Sequence, residues 1–241
     1  MLDGIGVKFS ESERFNMIEI LHKTKNTVVI YKPSGIPSQK DPTGDPDAMT
    51  LTSNALRSMG EGADLWLIHR IDRVVGGILI FARNKRTAAI LCELVKDRVL
   101  TKEYYAVVDG NAEGGELESF IFRDARLGKA FIVDRERAGV KRARLSYKKL
   151  ASVETEKGIK TLVYVTLDTG RFHQIRAQLS HIKAPICGDG KYGSRDKDVF
   201  GIALFASHLE LSFSGEHINV SRLPELSAYP WSLFKKEDYE V

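Results

Sequence analysis

The long strand-like stretch between residues 116 and 168 most narrows what this chain can fold into. Within it, RARLSYKKL (142–150) and GIKTLVYVTLD (158–168) alternate polar and apolar residues, the two-residue period of a half-buried strand. Such strands need partners for their backbone groups, and the rest of the chain offers them. IEILHKTKNTVVIYKPSG (18–35) reads as two short strands about a Lys25-Asn26 turn. WLIHRID and GGILIFAR also read as strands, KEYYAVVDG (102–110) ends in a turn, and ALFASHLELSFSGEHINV (203–220) reads as a hairpin. Helical spacing is confined to LTSNALRSM (51–59), KRTAAILCELVKDR (85–98) and HQIRAQLSHI (173–182). Strands in succession with few helices between them predict an α+β fold, a mixed, mostly antiparallel sheet with flanking helices and loops. Residues 36–50 carry three prolines and a glycine and predict a long irregular loop of the kind that tends to be functional. Residues 1–16 predict a loose lead-in, and no repeat or linker divides residues 1–241 into separate domains.

Hydrophobic residues make up 43% and charged residues 28%, the balance of a soluble globular chain. The net charge of +4 is a mild hint of a polyanionic partner. Cys92 and Cys187 form neither a disulfide framework nor a metal-spaced set, and read as reduced packing thiols. The N-terminal residues lack the apolar core of a signal peptide, and no run of about 18 apolar residues occurs. A cytoplasmic protein without a membrane partner is expected.

Residues 66–77, WLIHRIDRVVGG, place His69, Arg70, Asp72 and Arg73 between two apolar runs. Burying such groups costs several kcal/mol unless each finds a partner. In an extended segment Arg70 and Asp72 share one face and His69 and Ile71 the other. An arginine near a carboxylate keeps it ionised, and an ionised aspartate in a partly dry cleft is a nucleophile or a base. A structural ion pair where a strand leaves the core explains the same residues.

A second constellation is DTGRFHQIRAQLSHIKAPICGDGKYG (168–193). Gly170 permits a tight turn into a helix whose first N–H groups are free. His173 and Arg176 are three apart and share a helix face, with Arg171 just before it; this suits an anion, and an ordinary amphipathic helix also accounts for it. The glycines of CGDGKYG lack phosphate-loop spacing. DRERAGVKRARLSYKKL (134–150) holds seven basic and two acidic residues, either a phosphate-contacting surface or a lysine-protected edge strand.

These residues resemble a known family. HRID followed by Gly77 resembles the HRLDxxTSG motif of the RluA-type pseudouridine synthases. IYKPSG (30–35), KEYYAVVDG, the GRFHQIR to KYG block and IALFASHLELSF (202–213) resemble that family's other motifs, in the same order. The resemblance spans residues 18 to 213 and implies a pseudouridine synthase catalytic fold occupying residues 1–241, without the separate N-terminal RNA-binding domain that many relatives carry. It implies isomerisation of uridine in structured RNA, ribosomal or transfer RNA, by a monomer with no cofactor and no metal. It assigns Asp72 as the essential aspartate, Tyr104 as the aromatic residue against the base, Arg176 as the partner of Asp72, and Leu204 to the pocket floor. Arg70, Lys32, Arg171, His173 and Gln174 are expected on the RNA side. Val75-Gly76 stands where the family has Thr-Ser, so the bracing of the aspartate is expected to differ. A catalytically silent RNA-binding or RNA-folding protein of the same fold is the alternative.

Overall fold

In a computed structural model describing residues 18–241, eleven strands form one mixed sheet. The expected lead-in over residues 1–16 lies outside the described residues. In chain order the main elements are β1 (Glu19–Lys23), β2 (Thr27–Lys32), α1 (Ala48–Ser58), β3 (Trp66–Leu67), β4 (Gly76–Ala82), α2 (Lys85–Lys96) and β5 (Thr101–Asp109). There follow β6 (Gly114–Asp124), β7 (Lys129–Val133), β8 (Val140–Thr155), β9 (Gly158–Leu167), α3 (Gln174–His181), β10 (Leu204–Phe213) and β11 (Glu216–Ser221). The strand order is β1-β2-β4-β10-β5-β9-β8-β6-β7, with β3 added to β4 and β11 to β10. Among the described residues only β4 and β10 pair in parallel. No helix of the described residues is long and apolar enough to cross a membrane.

Two helices start where their sequences offer caps. Asp47 accepts from the Thr50 N–H before α1, and Asn84 from the Thr87 N–H before α2. The two helices cover opposite faces of β4. Leu79 and Phe81 join Leu51 and Leu56 of α1, whereas Ile78 and Ile80 join Ala88 and Leu91 of α2. Both faces of β4 are therefore apolar, and all seven of its residues are buried. The largest core lies between β5, β9, β10 and α3, where Val107, Val163, Leu204 and Leu179 meet.

Strand β4 leaves β10 after the pairs Phe205–Gly76 and Ala206–Gly77. At Gly77 φ is 129°, and an added Cβ would lie 2.5 Å from the Ala206 nitrogen. Gly77→Ala is expected to cost at least about 3 kcal/mol by forcing backbone apart at this crossing. A urea melt checks this; a loss under about 1 kcal/mol would show that the strands can separate there.

Two sequence expectations change. The strand predicted across WLIHRID stops at Leu67, and residues 68–75 run as irregular chain into a turn. Strand β8 is no edge, because β6 pairs along one side of it and β9 along the other. Its basic residues face acidic ones on neighbouring strands and loops. Arg142 pairs with Glu118, Arg144 with Glu116 and Asp168, and Lys149 with Glu113. Much of the expected phosphate-facing charge is thereby answered within the protein.

Candidate active site

Asp72 sits at the head of a turn closed by the Val75 N–H donating to the Asp72 carbonyl at 3.0 Å. The segment after β2 holds this turn. Ser34 Oγ donates to the Val74 carbonyl at 2.7 Å and Ser38 Oγ to the Ile71 carbonyl at 2.8 Å, while the Gly35 N–H meets the Arg73 carbonyl at 2.8 Å. The bracing expected to differ at Val75-Gly76 comes from these two serines. Beneath them, Lys32 is fully buried and its Nζ donates to the carbonyls of Ile36 at 2.7 Å, Pro33 at 3.0 Å and Arg73 at 3.3 Å. Burial pulls its pKa down to about 7 against the opposing charge of Asp72. Lys32 was expected to face RNA; enclosed and committed to three carbonyls, it instead ties the Asp72 loop to the sheet.

Helix α3 brings the partners of Asp72. Arg176 Nη1 donates to Asp72 Oδ2 at 3.0 Å. The other side of the guanidinium grips Asp189, with Nε to Oδ2 at 2.6 Å and Nη2 to Oδ1 at 2.9 Å. Arg176 and Asp189 are both buried. The two-point grip fixes the plane of the fork and leaves Nη1 for Asp72. Burial opposes the positive charge of Arg176, but the Asp189 hydrogen bonds and the charges of both carboxylates outweigh it and raise its pKa. Asp189 is held in turn by its loop. The Gly188 N–H donates to Ser194 Oγ at 3.0 Å, and that hydroxyl donates to Asp109 Oδ2 at 2.6 Å. Asp109 Oδ1 also accepts from the fully buried Lys160 at 2.5 Å.

His173 precedes α3 with a left-handed φ of 53°, and its Nε2 lies 3.5 Å from Asp72 Oδ2. Its Nδ1 is 3.0 Å from Tyr192 Oη, which already accepts from the Ala130 N–H at 2.7 Å. Tyr192 Oη has no other acceptor among the described residues, so it donates to Nδ1 and the ring proton sits on Nε2, toward Asp72. Burial lowers the His173 pKa to about 4, with Asp72 opposing.

These groups border a cavity of about 540 Å3. Tyr104 on β5 and Leu204 on β10 form its apolar wall; Leu204 pairs with Ala106, two residues along, so both side chains share a sheet face. Burial, and then the charge of Asp72, raise the Tyr104 pKa, so its phenol is neutral. Arg70 lines the cavity, is exposed, and makes no ion pair with Asp72; the structural pair considered from sequence is not formed. Arg171 also lines the cavity, its Nε donating to the Arg142 carbonyl at 3.0 Å. Gln174, expected on the RNA side, is buried and hydrogen-bonded within the protein. Its Oε1 accepts from Thr169 Oγ1 and the Arg171 N–H, and its Nε2 donates to the Arg144 carbonyl. Sequence reasoning did not single out Asp189, Lys102, Arg98 or Arg123. The acidic residue within CGDGKYG was the available signal for Asp189, and the lysine that opens KEYYAVVDG was that for Lys102; nothing local marked Arg98 or Arg123 as cavity residues.

The neutral histidines have a consequence for acid stability. Burial holds His69 at about 3 and His173 at about 4 in the folded chain, against an ordinary 6.5. Below pH 6.5 the unfolded chain binds protons that the folded chain refuses, so stability falls as pH drops from 6.5 toward 4. His173→Asn is expected to lose less stability over that window than wild type, as read by urea melts at several pH values. Parallel curves would show that His173 does not titrate on unfolding as argued.

An ion-paired aspartate at the rim of a partly apolar, cation-lined cavity defines a site for acid-base or nucleophilic work on a flat, polar ligand. The chain matches the family described as RNA pseudouridylate synthase over residues 26–181 and belongs to it. It is 31% identical over 202 residues to ribosomal large subunit pseudouridine synthase D of Borreliella burgdorferi, covering 80% of this chain and 60% of that protein's length. It is 29% identical over 184 residues to tRNA pseudouridine synthase C of Haemophilus influenzae, covering 73% of this chain and 76% of that one. Among solved structures, human RNA pseudouridylate synthase domain containing 4 superposes with a TM-score of 0.70 at 27% identity, covering 86% of this chain and 89% of that one.

Proposed function

We propose that this chain isomerises uridine to pseudouridine in structured RNA, ribosomal or transfer RNA, with Asp72 as the catalytic residue. The observation that carries the reading is Asp72 held by Arg176 at the edge of the cavity walled by Tyr104 and Leu204. A uridine in a folded RNA reaches such a cavity only when extruded, at a cost of a few kcal/mol. The uracil then lies between Tyr104 and Leu204, with the ribose toward Asp72. Asp72 acts on the ribose either by adding to C1′ or by removing the C2′ proton. The N1–C1′ bond breaks and its electron pair leaves with uracil. After the base turns, C5 bonds to C1′ as the Asp72–C1′ bond breaks or, on the other route, as the proton held by Asp72 returns to C2′; the C5 proton is lost and N1 gains one, so atoms balance without a co-reactant.

The Arg176 and Asp189 grip serves the carboxylate by holding one oxygen fixed and leaving the other for the ribose. Mapping pseudouridine across total RNA from cells with and without the gene tests the reading. At least one uridine position should lose the modification in the deletion strain and regain it with wild type. No changed position would overturn the isomerase reading and favour the silent RNA-binding one.

A further inference from the structure

One wall of the cavity carries positive charge that the isomerisation leaves unused. Lys102 lies on β5 two residues before Tyr104, on the same strand face, and lines the cavity. Its ammonium group rests against the turn into α3, where a Cβ added to Gly170 would be 3.5 Å from Nζ. Lys102 has no hydrogen-bond or carboxylate partner among the described residues, and burial lowers its pKa with no charge opposing. Arg98 lines the same cavity and its side chain has no partner among the described residues. It sits at φ 62° just after α2, where glycine is the usual residue.

His69 adds a third donor. Its Nε2 accepts from the Ile80 N–H at 3.4 Å, which leaves the ring proton on Nδ1, and Nδ1 is buried without a partner. Arg70 is also unpaired among the described residues but lies exposed at the cavity, whereas the remaining cations are answered: Lys96 by Glu93, Arg176 by Asp72 and Asp189, Arg171 by the Arg142 carbonyl, and Arg123 by the Phe172 ring. A half-buried cation gives up part of its hydration, and one kept at the cavity wall without a partner points to an anionic ligand.

We propose that Lys102, with Arg98 and the Nδ1–H of His69, binds the phosphodiester group adjoining the target uridine. The inference rests on the reading of this cavity as the site of an RNA uridine. The site fixes the ribose from its phosphate side while Tyr104 and Leu204 hold the base, so binding energy remote from the reacting bond orients C1′ toward Asp72.

The test uses a fluorescein-labelled oligouridylate and Lys102→Met, which keeps the length of the side chain and removes its charge. Anisotropy titrations across salt should show about tenfold weaker binding near ~0.1 M salt and a log–log salt slope shallower by about 0.7, the share of one phosphate contact. Lys102→Arg should keep the slope. The methionine variant should melt at the same or a higher temperature, because an unpaired cation has been removed; a structural lysine would lower it. Unchanged affinity and slope, or a lower melting temperature with an unchanged slope, would overturn the phosphate site. If inorganic phosphate raises the wild-type melting temperature through Lys102 while the oligouridylate slope does not change, the ligand is free phosphate and the phosphodiester assignment fails. A slope change in a wild type that forms no pseudouridine would sink the isomerase reading and leave the anion site standing. Pseudouridine formation with an unchanged slope would do the reverse.

Discussion

Replacing Asp72 with asparagine is expected to lower pseudouridine formation by more than about 10^3-fold, the loss typical of a group that acts directly on the reacting bond. Asparagine keeps the shape of the side chain and one oxygen, but it neither adds to C1′ nor takes a proton from C2′ at neutral pH. The fold should survive, because Arg176 keeps its two-point contact with Asp189 and the turn is held by Ser34 and Ser38. The stability loss should stay near 1–2 kcal/mol, the worth of one charge-assisted hydrogen bond on a partly exposed carboxylate. Single-turnover assays on RNA from the deletion strain, with urea melts alongside, separate the two effects. A variant retaining a tenth or more of wild-type turnover would remove Asp72 from the chemistry.

Asp189→Ala is expected to be the more damaging change for the protein itself. It leaves the buried guanidinium of Arg176 with Asp72 alone, and breaking one side of a buried ion pair typically costs about 3–5 kcal/mol. Turnover should fall as well, by about 10^2-fold, because a fork no longer fixed in plane lets Asp72 drift from its line to the ribose. Asp189→Asn, which preserves packing and one acceptor, should recover most of the stability and part of the rate. If both variants melt like wild type, Asp189 is not what fixes Arg176. If they melt lower but turn over normally, the grip matters for folding and not for catalysis.

Much of the architecture was legible along the chain because its signals are local. Two-residue alternation placed β8 and β9, and apolar spacing placed α2. The edge status of β8 was not legible, since strand order depends on which strands find each other, and β8 proved to be interior. The HRID segment misled in a similar way. Its flanking apolar residues read as strand, yet its backbone hydrogen bonds go to the hydroxyls of Ser34 and Ser38 across more than thirty residues of sequence.

The sequence by itself determined the α+β class, the strands and helices, and the Asp72, Tyr104 and Arg176 motifs, because periodicity and motif spelling are written in neighbouring residues. Tertiary structure alone decided how those residues are used. Lys32 looked like an RNA contact and became a buried strut. Asp189 looked like part of a glycine loop and became the second anchor of Arg176. Lys102 was one polar position of a strand and became an unpaired cation in the cavity. Burial and ion pairing are set by residues distant in the chain, and only folding brings those residues within a few ångströms.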